Sequence, residues 1–175
     1  SNYKPHFIGM REMDNINICN DIIKIFNKRI DRQVKGEFGG TIQLDRKDTV
    51  DISVDMNEIF EKGDFSIVKI YIDFLLKCYK QYSQEWPFLK NFRDIKIGRF
   101  NFQKYDTNKH FKYIHSERMS LNESHRLFAF MTYLNEVEEG GETRFEHFGI
   151  NVLPKVGRTL IWPAEWTHAH SGGIV

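Results

Sequence analysis

The hydrophobic period of this chain changes once, near Asp94, and that change constrains the fold more than any other feature. Before it, apolar residues recur at helical spacing. From Asp14 to Ile30 they fall at Ile18, Ile22, Ile25 and Phe26, with Ile30 following, and Asp14 or Asn15 is placed to cap the start. From Asn57 to Tyr82 a second helix carries Phe60, Ile67, Tyr71, Phe74, Leu75 and Cys78 on one broad face. Gly63 weakens its first turns, and Pro87 closes the region. After Asp94, residues Ile95, Ile97, Arg99, Asn101 and Gln103 alternate with Lys96, Phe100 and Phe102, the period of a strand. Apolar runs then follow at Leu127–Leu134, Phe145–Val152 and Thr159–Trp162. Glu139-Gly140-Gly141 and Pro154-Lys155-Val156-Gly157 separate them as turns.

Helices first and short strands after predict a mainly β fold with supporting α-helices. A jelly roll packed against N-terminal helices suits that order. Residues 31–56, with charges and Gly36, Gly39 and Gly40, read as a long connection holding a short strand. At 175 residues the chain suits one domain. Its helical support spans about 1–90 and its β core about 91–175. Fifteen Phe within a 14% aromatic content supply a core and argue against disorder. A net charge of +1 argues against a large basic surface, so no nucleic-acid partner is expected. No apolar run reaches the length of a membrane span, so no membrane partner is expected either. Cys19 and Cys78 both sit in apolar helical patterns. They read as buried thiols in a reducing compartment, which points to the cytoplasm. Oligomeric state is left open.

The chemistry lies in the second half. His115-Ser116-Glu117 places an imidazole and a carboxylate two residues apart, on one face if the segment is a strand. Near the end, Trp166-Thr167-His168-Ala169-His170 offers a third ligand. Two imidazoles and a carboxylate on one face of an octahedral ion leave three positions open, the arrangement of non-haem Fe(II) oxygenases. Taken alone, His115 reads equally as an exposed strand histidine, and His168 as a packing residue beside Trp166. His147 reads as exposed, while His125 and Arg126 read as facing the pocket. Trp162 and Trp166 fit core packing as well as a substrate mouth. Gly140-Gly141 reads as a turn, since no helix follows to cradle a phosphate.

Five segments in order carry a family resemblance: Tyr113-Ile114-His115-Ser116-Glu117, then Tyr133-Leu134-Asn135, then Gly140-Gly141-Glu142-Thr143-x-Phe145. Pro154-Lys155-x-Gly157 and Trp162-Pro163 through His170-Ser171-Gly172 complete them. Over about residues 95–175 the sequence resembles the 2-oxoglutarate and Fe(II)-dependent oxygenases of the prolyl 4-hydroxylase-like branch. The resemblance implies a double-stranded β-helix and a dioxygenase using Fe(II), 2-oxoglutarate and dioxygen, with ascorbate as an optional accessory. It implies His115, Glu117 and His170 as metal ligands. Most of the family has Asp where this chain has Glu117. His168 is the alternative distal ligand; Ser171-Gly172 after His170 matches the family pattern. Tyr105 and Thr143 correspond to hydroxyls for the C5 carboxylate of 2-oxoglutarate. The family's basic anchor lies about ten residues past the distal His, on a strand expected after Val175. Arg126, Arg144 and Arg158 are internal cations that could substitute, though each also reads as a solvated strand charge.

The reaction so implied is hydroxylation of a C–H bond in a peptidyl proline, another peptide side chain or a small molecule. Two alternatives accompany it: a non-catalytic jelly-roll binding domain, and a cupin-like metal enzyme that does not use 2-oxoglutarate. Residues 31–56 and 106–112 are candidate lids.

Overall fold

In a computed structural model that describes residues 4–175, the change of period near Asp94 appears as a change of layer. The N-terminal half supplies strand β1 (Gly9–Glu12), helix α1 (Asn17–Lys28), strands β2 (Val34–Lys35) and β3 (Val50–Val54), and helices α2 (Met56–Phe60) and α3 (Val68–Glu85). The C-terminal half supplies β4 (Phe100–Lys104), β5 (Phe111–His115), β6 (Phe128–Thr132), β7 (Thr143–Phe145), β8 (Ile150–Val152), β9 (Arg158–Pro163) and β10 (His170–Gly172).

These strands form three antiparallel sheets in the orders β5-β10-β7-β8, β1-β9-β6 and β2-β3-β4. Phe145 and Val152 of the first sheet pack with Leu160 and Trp162 of the second, and this apolar cluster lies directly behind the histidine-bearing strand. The opposite face of β9 turns Ile161 to Leu75, Cys78 and Tyr82 of α3. The largest cluster joins α1 (Ile18, Cys19, Ile22, Phe26) and α3 (Val68, Tyr71, Ile72) to Ile52 and Val54 of β3 and Phe102 of β4. The helices therefore brace the sheets that hold the site. Both cysteines are buried free thiols within these helix–sheet clusters. No described helix is long and apolar enough to cross a membrane.

Several local expectations are corrected. α1 begins after Ile16, and neither Asp14 nor Asn15 caps it. It stops at Lys28, and Ile30 sits 73% exposed in a 3-10 turn. The second helix is broken. α2 starts at a capping box between Asp55 and Glu58, and the chain leaves helix around Gly63. It then re-enters as α3, which leaves Phe60 59% exposed. Alternation from Ile95 does not become strand until Phe100, because pairing partners on β3 begin only at Val54. The run Phe145–Val152 is two strands: a 3-10 turn at Glu146–Phe148 and Gly149 at φ +61° reverse the chain between β7 and β8. Residues 31–56 are more than a connection. β3 is the central strand of its sheet, and Asp51 and Thr49 within that segment are buried. Phe111 and Lys112, at the end of the second candidate lid, are strand residues of β5.

Candidate metal centre

Strand pairing brings the two histidines together. In the register between β5 and β10, His170 lies directly opposite His115, and an irregularity follows before Gly172 meets Phe111. Their rings are 4.5 Å apart between centroids. Glu117 lies two residues past the end of β5 and folds back. Its Oε1 is 3.8 Å from His115 Nε2 and 3.4 Å from His170 Nε2. One ligand atom from each residue falls within a 4.8 Å cluster, the single such group among the described residues.

The ring orientations suit metal binding. His115 Nδ1–H donates to the Tyr113 carbonyl at 2.8 Å, and His170 Nδ1–H donates to the His168 carbonyl at 2.9 Å. Each bond assigns the proton to Nδ1 and leaves the Nε2 lone pair facing the cluster. Phe111 stacks on His115 at 3.9 Å, and Trp162 meets His170 edge-on at 5.0 Å, so both imidazoles are wedged between aromatic rings. Burial, the neighbouring His170 and the Lys47 ammonium push the His115 pKa down to about 4, against the Tyr113 hydrogen bond and Glu117. The ring is thus neutral near pH 7, the form that binds a cation. For Glu117, burial alone would raise the carboxyl. The nearby His170 and His115 rings and the Arg126 guanidinium hold it below its ordinary value instead. Two imidazoles presenting Nε2 and one carboxylate are a donor set that fits Fe(II) with open positions.

His168 is not part of this cluster. Its Nε2 reaches the His6 carbonyl at 2.8 Å and its Nδ1 the Thr167 hydroxyl at 2.9 Å, so both nitrogens are engaged, and the first ties the N-terminal segment to this turn. Trp162 is 3% exposed and belongs to the core, whereas Trp166 is 70% exposed. His125 and His147 are both exposed.

The hydroxyls gather in the same interior. Tyr105 is half-buried, and its hydroxyl donates to Gln103 Oε1 at 3.1 Å. Burial, with Asp51, Tyr133 and Glu117 nearby, raises its pKa well above the ordinary phenol value. Thr143 Oγ1 lies 2.7 Å from the Tyr133 hydroxyl, which also donates to the Val152 carbonyl at 3.1 Å. The Tyr133 hydroxyl was not singled out from the sequence. The signal was present, since Ala129 and Met131 of β6 and Tyr133 just past its end alternate toward the apolar cluster that holds Phe145.

The three arginines considered as cosubstrate cations are committed elsewhere. Arg144 pairs with Glu142, and Arg158 with Glu12 and the Leu153 carbonyl. Arg126 donates to the Glu117 carbonyl. The buried cation beside the centre is Lys47. It is 3% exposed, lies 5.4 Å over the Phe111 ring, and is paired to Asp51 at 2.6 Å. Thr49 donates to the other Asp51 oxygen at 2.7 Å. These residues went unnoticed because their segment read as a connection.

Residues 100–175 match the model of the 2OG-Fe(II) oxygenase superfamily. No match was found among curated protein sequences. Among solved structures, a prolyl-4-hydroxylase of Pseudomonas putida aligns with a TM-score of 0.72 at 13% identity, over 97% of this chain and 86% of that one. A prolyl hydroxylase of Trichoplax adhaerens, solved with a peptide fragment of the hypoxia inducible factor oxygen degradation domain, aligns at 0.66 and 13% identity, over 95% and 77%. A viral collagen prolyl hydroxylase of Paramecium Bursaria Chlorella virus-1, in complex with 2OG, aligns at 0.59 and 16% identity, over 93% and 86%.

The family match over residues 100–175 and the donor set together support a 2-oxoglutarate- and Fe(II)-dependent dioxygenase. More narrowly, its architecture is a jelly-roll fold similar to that of the prolyl hydroxylases just compared. Fe(II), 2-oxoglutarate and dioxygen are its cofactors and cosubstrates. The readings as a non-catalytic domain or a cupin-like enzyme without 2-oxoglutarate are set aside.

Proposed function

We propose that this oxygenase hydroxylates a side chain within a peptide, with peptidyl proline the foremost substrate, and that His115, Glu117 and His170 hold its Fe(II). The observation that carries the ligand set is the convergence of one donor atom from each residue within 4.8 Å. When bound, Fe(II) with 2-oxoglutarate and dioxygen supplies the oxidising power to hydroxylate a C–H bond, with release of succinate and carbon dioxide.

The protein's part is to hold and to exclude. Tyr113 and His168 carbonyls fix the ring tautomers. Phe111 and Trp162 shield the imidazoles from water. Tyr105 and the Thr143–Tyr133 hydroxyl pair are the hydrogen-bonding groups assigned to the cosubstrate's carboxylate. Two facts support a peptide substrate. The centre opens at Glu117, whose side chain is 29% exposed, so a residue on a longer chain can reach it. The structurally similar Trichoplax adhaerens enzyme was solved with a peptide.

The test is succinate release and mass gain with Fe(II), 2-oxoglutarate and a panel of peptides, each paired with a Pro→Ala version. Turnover and oxygen incorporation confined to proline-containing peptides are expected. Turnover with free amino acids or small metabolites alone would refute the peptide assignment. Unchanged iron affinity in His115→Ala would refute the ligand set.

A further inference from the structure

We infer that Arg126 is a positioning residue that aims the Glu117 carboxylate, dividing its two oxygens between the metal and the guanidinium. The inference rests on the ligand set proposed above and goes beyond it.

Glutamate at this position poses a geometric problem. Its side chain has one more rotatable bond than aspartate, and here it lies on a loop past the end of β5, partly open to solvent. Unrestrained, it would sample several rotamers, and ordering it on metal binding would cost entropy. The loop supplies the restraint. Arg126 Nη1 donates to the Glu117 backbone carbonyl at 2.9 Å and stands 3.7 Å from Oε2 of the same residue. The other carboxylate oxygen, Oε1, is the one facing the two imidazole nitrogens. The arginine is itself held. Its backbone N–H donates to the Glu123 carbonyl at 3.0 Å, and its guanidinium lies 3.9 Å from Glu123 Oε1. Glu123 Oε2 in turn accepts from the Met119 N–H at 3.2 Å and the Ser120 hydroxyl at 3.1 Å. Residues 117–126 thus close on themselves and present Glu117 with one oxygen engaged and one free. That arrangement favours monodentate binding and keeps a further metal position open.

The test is Co(II) titration of chelator-stripped protein, followed by visible absorption, in the parent, R126Q, E117A and the double variant. R126Q is expected to weaken Co(II) binding about tenfold, the usual scale for losing an outer partner of a ligand. It should also change the Co(II) absorption envelope, because the released Oε2 can reach the metal. In the E117A background, where only the imidazoles remain, R126Q should cause no further loss. Equal Co(II) affinity in R126Q and the parent overturns the inference. So does an equal loss from R126Q in the parent and in E117A, since the effect would then not pass through the carboxylate. If R126Q does not fold, R126K reads the same quantity. It keeps the charge but not the fork, so a smaller loss, again abolished by E117A, is expected, and an undiminished affinity overturns the inference. Failure of the ligand set looks different: E117A and H115A would then bind Co(II) as the parent does.

Discussion

The buried Lys47–Asp51 pair predicts an unusual stability response for a contact so close to a metal centre. Both side chains are nearly sealed from water, at 4% and 6% exposure, with Nζ and Oδ2 2.6 Å apart. Thr49 fills the remaining acceptor at 2.7 Å. Taking either charge away leaves the other desolvated without its counter-ion. Breaking one side of a buried pair costs about 3–5 kcal/mol. For a chain of this size about 1 kcal/mol moves the melting temperature by about 2–4 °C, so a loss of about 6–20 °C is expected for Lys47→Met or Asp51→Ala. Lys47→Met should fall at the lower end, because the Thr49 hydroxyl still serves the orphaned carboxylate. The double variant K47M/D51L removes both charges and keeps much of the volume. It should recover most of the loss, giving a coupling well above the ~0.5 kcal/mol scatter of independent sites. The assay is urea or thermal unfolding of the parent, the singles and the double, without metal. Single losses below ~1 kcal/mol, the scale of exposed pairs, would refute the reasoning. So would a double variant whose loss is the sum of the singles.

The two neighbouring histidines near the C-terminus should respond differently to side-chain truncation. His170→Ala should abolish tight iron binding and also cost stability, since loss of the buried ring leaves the His168 carbonyl unpaired. His168→Ala should keep metal binding nearly intact while losing about 1–3 kcal/mol as the His6 carbonyl loses its partner; isothermal titration with Mn(II) separates the two, and thermal unfolding reads the stability loss. Metal-stripped protein should lose stability in mild acid. His115 titrates near 4 when folded and near 6.5 when unfolded, so the unfolded state binds more protons between those values. The loss should begin as pH falls through about 6.5 and amount to about 3 kcal/mol by pH 4, and it should be missing in His115→Phe. Leu160→Ala, at a fully buried position between the sheets, should cost about 2–5 kcal/mol in urea unfolding while leaving Mn(II) affinity nearly unchanged.

Legibility in the sequence followed the range of the interactions. The layer order was legible because a helix or a strand declares itself within ten residues, through the spacing of Ile18, Ile22 and Phe26 or the alternation about Phe100 and Phe102. Breaks were less so. Gly63 weakens a helix in any context, but whether the chain resumes as one helix or two depends on Phe65 and Val68 finding the α1–β3 cluster. The division at Gly149 depends likewise on β7 and β8 pairing Phe145 with Ile150.

The centre shows the same gradient. His115 and Glu117 are near neighbours, and a local pattern suffices to suggest them. His168 and His170 are equivalent in composition, and from the residues alone either could complete the set. What separates them is a register: His170 pairs with His115 across β5 and β10, while the 3-10 turn ending at His168 turns that ring toward the His6 carbonyl instead. The buried cation was harder still. Lys47 sits among charged residues that look solvated in sequence. It becomes internal only because its neighbours Arg46 and Asp48 bond to the outer edge of β5, through the Tyr113 N–H and the bridge to His110. A lysine between two strand-edge contacts must point into or out of the barrel. Here Thr49 and Asp51, two and four residues on, lie inside to receive it. The polar lining of an oxygenase interior is therefore set by which segment docks on an open strand edge, and charge patterns along the chain do not encode that choice locally.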